Sequence, residues 1–129
     1  DRVLVNKLAY KVGEIHRSDI VVFKRPPLET DRSINDLIKR VVALPGDTIE
    51  SRNGSLYVND KPVSEPYLIT PTTPTEDLPR QKVPEHHVFV MGDNRIDSTD
   101  SRRFGPVDTD LIVGRASLRI WPFARFGGI

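Results

Sequence analysis

The sequence predicts a mostly β fold in which antiparallel sheets form a compact core with little helix. Three observations point there. The apolar runs are short and rich in valine and isoleucine. Tight-turn dipeptides separate them, Asn53-Gly54 above all. Helix signals are scarce, since only Asp108-Thr109-Asp110-Leu111-Ile112 offers a cap and a short turn. Many short strands joined by tight turns close most readily as antiparallel sheets.

Taken in order, Val3 to Leu8 and Ile20 to Phe23 read as strands, and Pro26 to Ser33 as an exposed loop leading into a third, Leu37 to Leu44. Thr48-Ile49 and Leu56-Tyr57-Val58 flank Asn53-Gly54, whose tolerance of positive φ suits a type I′ hairpin. Asn59-Asp60 turns the chain again before Lys61-Pro62-Val63. Pro62, Pro66, Pro71, Pro74, Pro79 and Pro84 then follow, and a chain so poor in regular N–H donors reads as an irregular insertion over residues 60–86. Val88 to Met91 and Leu111 to Ile120 complete the set of strands. Toward the end of the chain, Ile120-Trp121-Pro122-Phe123-Ala124-Arg125-Phe126 gathers aromatics beside arginines, which suits core packing or, alternatively, an interfacial patch.

The 129 residues fit a single domain large enough for a core. A net charge of +1 gives no field that would argue for nucleic acid. The absence of cysteine removes thiol nucleophiles, disulfides and thiolate metal sites. No run approaches the roughly 20 apolar residues that span a bilayer. His16, His86 and His87 lack metal-ligand spacing, and the Asp93, Asp97, Asp100 series fails as a calcium loop because Arg95 and Ser98 stand at its third and sixth positions. No metal or cofactor is called for.

Two segments carry chemistry. Gly92-Asp93-Asn94-Arg95-Ile96-Asp97-Ser98-Thr99-Asp100-Ser101-Arg102 places turn formers, hydroxyls and opposed charges at the end of an apolar strand. Upstream, Leu37-Ile38-Lys39-Arg40-Val41 turns Lys39 toward the face of Leu37 and Val41. Removing an ammonium from water depresses its pKa, and a neutral amine can take the proton of a hydroxyl nucleophile. The bland alternative is an exposed edge strand on which Lys39 and Arg40 are both solvated.

Together these segments resemble bacterial type I signal peptidases, Ser-Lys endopeptidases that remove signal peptides from exported preproteins. Lys39-Arg40 with Leu44-Pro45-Gly46-Asp47 matches one family box, and Gly92-Asp93-Asn94-Arg95 with Ser98, Asp100-Ser101-Arg102 and Gly105 matches another. The opening Asp1 to Lys7 and the closing Gly127-Gly128-Ile129 are similar as well, so the resemblance covers essentially the whole chain. It implies a signal-peptidase-like core with Lys39 as base and Ser98 as the hydroxyl that orients its amine. Asp100 and Arg102 would form a supporting ion pair, with Asp93 and Arg40 as further support. The substrate would lie extended along Leu37 and Ile38, with Asp36 beside them, and residues 60–86 would be a reduced cap. The catalytic domain is expected at the cell membrane on its extracytoplasmic face, with Trp121, Phe123 and Phe126 able to meet lipid.

In the family the nucleophilic serine lies in a Ser-Met-X-Pro-Thr-Leu segment just upstream of the residues matching Asp1, after an N-terminal anchor. The chain as given is therefore expected to lack its nucleophile and to be inactive alone. Apolar surface beside Lys39 should then stay partly exposed and capture an extended peptide or a neighbouring chain along an unpaired strand edge. Two other readings remain open: a self-cleaving Ser-Lys repressor-type peptidase, and a noncatalytic β binding module in which Lys39 is exposed.

Overall fold

The structure, a computed structural model, describes residues 3–6, 15–33, 35–65, 75–95 and 99–118. Along the chain run β1 (Val3–Asn6), β2 (Ile20–Lys24), β3 (Asp36–Ala43), β4 (Thr48–Arg52), β5 (Ser55–Val58) and β6 (Lys61–Pro62). Then come β7 (Leu78–Lys82), β8 (His87–Met91), one turn of helix α1 (Ser101–Phe104), β9 (Val107–Asp108), a 3₁₀ turn (Thr109–Leu111) and β10 (Ile112–Leu118). The mostly β, antiparallel expectation is borne out.

One sheet has the order β1-β10-β2-β3-β8-β9 and the other β6-β5-β4-β7. The strand that carries Lys39 is therefore central. It pairs with β2 from Lys24↔Asp36 to Ile20↔Arg40, and with β8 from Arg40↔Met91 to Ala43↔Phe89. Alternation sends Leu37 and Val41 into one core with Val21, Phe23, Val88, Val90 and Phe104. The opposite face packs Val42, Met91 and Phe89 against Ile49 and Leu56 of the second sheet. A register shift between Val41 and Ala43 lets Ala43 join Val42 in that second core.

Local chemistry accounts for the turns. Asn53 and Gly54 take φ of 53° and 82°, as a type I′ hairpin requires, and Asn59 and Asp60 repeat the pattern at 52° and 67°. The Asp47 carboxylate closes Leu44-Pro45-Gly46-Asp47 by accepting the Leu44 N–H at 2.8 Å. It also accepts from Arg17 and from the Asn59 amide. Burial opposes ionisation of Asp47, but these donors together hold its carboxyl below the usual carboxylate range.

The 60–86 stretch differs from the irregular insertion expected. Its last part, β7, pairs with β4, and Pro79 is tolerated because β7 is the edge strand of its sheet among the described residues. The helical turn α1 was also not foreseen. Four residues carry too little periodicity to announce themselves, and its signal is the cap: the Asp100 side chain accepts the Arg102 N–H.

Candidate active site

Lys39 sits midway along β3, directly across from Val21 of β2, on the face it shares with Leu37 and Val41. Its residue exposure is 2%, so the solvated edge-strand reading does not describe this molecule. Burial pushes its pKa down from 10.5 to about 8, and the Arg102 guanidinium adds to the fall, while the carboxylates of Asp100, Glu29 and Asp93 hold part of it back. Arg40, one residue on, turns to the opposite face. There it donates to both Asp93 oxygens at 2.9 and 2.8 Å and to the Ser18 carbonyl at 2.9 Å.

Behind the lysine stands Asp100, fully buried. Arg102 grips it from Nε at 2.9 Å and Nη2 at 2.8 Å, while the Gly92 and Arg102 backbone N–H groups donate at 3.0 and 3.1 Å. Burial alone would raise this carboxyl's pKa; the Arg102 bonds and the two N–H donors outweigh it and lower the pKa. Next in sequence, the Ser101 hydroxyl accepts the Val90 N–H at 2.9 Å, stitching α1 onto β8.

The structure thus groups Lys39 with Asp100, Arg102 and Asp93 electrostatically and places Arg40 with Asp93 behind the strand. Asp36 lies at the start of β3, exposed, 3.6 Å from the Lys24 ammonium. Leu37 and Ile38 are buried at 6% and 2%. Ser98, Trp121, Phe123 and Phe126 fall outside the described residues.

One expectation is overturned. Apolar surface was to remain open beside Lys39, yet Leu37, Ile38, Lys39 and Val41 are all buried. The covering is of the faces: Leu37 and Val41 pack into one core, and Ile38 packs with Ile20 and Ala116 on the other face.

Sequence reasoning also missed two acids. Glu29, in the β2–β3 loop, adds negative potential at Lys39, and its buried Oε2 has no hydrogen-bond partner among the described residues. Glu65 pairs with the wholly buried Arg95 side chain. Neither had a readable signal, because a lone glutamate in a polar stretch looks the same whether solvated or buried. Among the described residues, no three histidine or carboxylate side chains gather as a metal site.

Residues 1–121 match the family described as signal peptidase, peptidase S26. The chain belongs to that family. It is 40% identical to signal peptidase IB of Staphylococcus aureus strain Mu50 across 98% of its own length and 71% of the relative's. It is 43% identical to signal peptidase I of Bacillus caldolyticus, covering 96% of this chain and 71% of that one. A crystal structure of a signal peptidase I from Enterococcus faecalis V583 superposes with a TM-score of 0.67 at 34% identity, over 79% of this chain and 96% of that one. The protein is a serine endopeptidase of the signal peptidase I type, a hydrolase that processes signal peptides.

Proposed function

We propose that the protein cleaves signal peptides with a Ser-Lys dyad in which Lys39 is the general base. The observation that carries this reading is a lysine almost sealed from water, with its pKa near 8, beside a carboxylate that Arg102 already neutralises. An amine of that pKa is neutral in half the molecules at pH 8, which a solvated lysine is not.

The resemblance assigns the nucleophile to a serine upstream of Asp1. Its hydroxyl proton passes to the Lys39 Nζ as its Oγ attacks the scissile carbonyl carbon. Collapse of the tetrahedral intermediate breaks the C–N bond, and the lysine returns the proton to the departing amine. Water, deprotonated by Lys39, then attacks the acyl carbonyl carbon, and as the ester C–O bond breaks Lys39 passes that proton to the departing serine Oγ. Ser98 orients the amine, a task suited to a hydroxyl that both donates and accepts.

Substrate recognition is assigned to the first half of β3. The ladder with β8 begins at Arg40, and among the described residues no strand flanks Asp36, Leu37 and Ile38 on that side. A signal peptide adding there would use main-chain hydrogen bonds, since the Leu37 and Ile38 side chains are buried. Cleavage takes place at the extracytoplasmic membrane surface. Among the described residues no helix is long and apolar enough to cross a membrane.

In the active full-length enzyme, Lys39→Arg should abolish cleavage because guanidinium stays protonated. The parent's rate should rise on a limb near pH 8. Cleavage by Lys39→Arg, or a limb near 10.5, would assign the base elsewhere.

A further inference from the structure

The segment between β8 and α1 brings Asp100 near Lys39, and its described residues Asp93, Arg95 and Asp100 are all buried. Arg95 lies within it, and its side chain is 0% exposed. Its Nε donates back to the Gly92 carbonyl at 2.9 Å. Its other nitrogens reach out of the segment altogether. Nη1 donates to Glu65 Oε1 and to the Thr75 hydroxyl, each at 3.1 Å, and Nη2 to Glu65 Oε2. The Arg95 backbone carbonyl in turn accepts from Arg102 Nη1 at 3.0 Å, so the residue that grips Asp100 also rests on Arg95.

Glu65 and Thr75 come from the second sheet's side of the molecule. Thr75 is tied to the β4–β5 hairpin, its N–H bonding the Gly54 carbonyl at 3.1 Å and its carbonyl accepting the Ser51 hydroxyl at 3.3 Å. A forked, two-bond grip fixes the plane of a guanidinium as well as its position. Burying such a pair adds little to stability relative to apolar residues of the same size, and what it supplies best is a defined geometry.

We propose that Glu65 is a positioning residue for peptide cleavage: by clamping Arg95 to the second sheet's side it holds Arg102, which rests on the Arg95 carbonyl, and with it Asp100 in place near Lys39. This rests on the reading of Lys39 as the base. The insertion is then part of the catalytic machinery through its inner acid, without touching the substrate. The charged groups that act on Lys39 come from both sides: Asp100, Arg102 and Asp93 from the β8–α1 segment and α1, and Glu29 from the β2–β3 loop. Only those on the segment and α1 depend on the clamp.

The test uses Glu65→Leu combined with Arg95→Met, which removes the pair without leaving an orphan charge, together with Glu65→Gln, which keeps an acceptor for Arg95. In the 129-residue chain, Lys39 is titrated by NMR at its Cε and Nζ. In the active full-length enzyme, kcat and KM are measured on a signal-peptide substrate. The double variant should melt at or above the parent temperature. Its Lys39 midpoint should nevertheless rise from about 8 by roughly a unit as water reaches the loosened site. Its kcat should fall by roughly tenfold to a hundredfold at nearly constant KM, the scale of loss for misplaced catalytic groups. Glu65→Gln should lie between the two.

An unchanged Lys39 midpoint with unchanged kcat would overturn the proposal and leave the clamp a folding element only. A raised KM at unchanged kcat would also overturn it, by showing that the insertion meets substrate. Should the double variant fail to fold, Glu65→Gln decides by the same two readouts. Activity retained in Lys39→Arg would refute the base assignment, while the titration would still report whether the clamp controls the surroundings of Lys39.

Discussion

At the scale of single residues, the burial of Lys39 costs stability. Lys39 is protonated at pH 7 in both the folded and unfolded chain, but the folded chain holds that charge away from water. Lowering its pKa from 10.5 to about 8 corresponds to a cost of about 3 kcal/mol. Below pH 8 the whole cost is present. Between pH 8 and 10.5 the unfolded chain binds a proton that the folded chain has released, so stability gains as pH rises across that window. Lys39→Met should therefore stabilise the chain by up to about 3 kcal/mol at pH 7, with the gain fading by pH 10.5. Urea midpoints measured at both pH values check this, and a gain that stays constant between them would contradict it. Asp100 works in the opposite sense. Its depressed pKa contributes stability above pH 4 that is lost as acid protonates it. Asp100→Ala, which strands the buried Arg102, should cost about 3–5 kcal/mol at neutral pH, whereas Ser98→Ala should remove activity at a nearly parental midpoint. Equal midpoints for these two variants would contradict this division of roles.

Among the elements, the turns do the registering. Gly46 sits at φ 84° in the turn after β3 and donates its N–H to the Val83 carbonyl at 2.8 Å, joining the two ends of the second sheet's excursion. A Cβ placed there meets no atom within 4 Å among the described residues, so the penalty of Gly46→Ala is conformational alone. It should lower stability by about 1–2 kcal/mol and leave kcat per folded molecule unchanged. A loss of kcat would mean that the turn transmits strain to β3. The hairpin at Asn53-Gly54 was legible because its φ demands are written in its residue types. The pairing of β7 with β4 was not, since a proline-rich strand at a sheet edge has no periodicity to read.

For the molecule as a whole, the two sheets share one apolar seam. Phe89 and Met91 on β8 and Val42 on β3 meet Ile49 and Leu56 of the second sheet. Phe89→Ala should cost about 3–5 kcal/mol and lower the unfolding midpoint of both sheets together in one transition. Two resolved transitions, by calorimetry and by far-ultraviolet circular dichroism, would show that the sheets unfold separately.

The sequence by itself determined the β class, most strand positions, the hairpin and the boxes around Lys39 and Asp100, because each is written in local alternation, turn chemistry or a contiguous motif. Only the tertiary structure decided that β3 is central, that its apolar strip is covered, that Glu29 lends negative potential to Lys39, and that Glu65 pairs with Arg95. Strand order and burial depend on which distant segments pair. A residue such as Glu65 gains its meaning only when a guanidinium thirty positions away is folded against it.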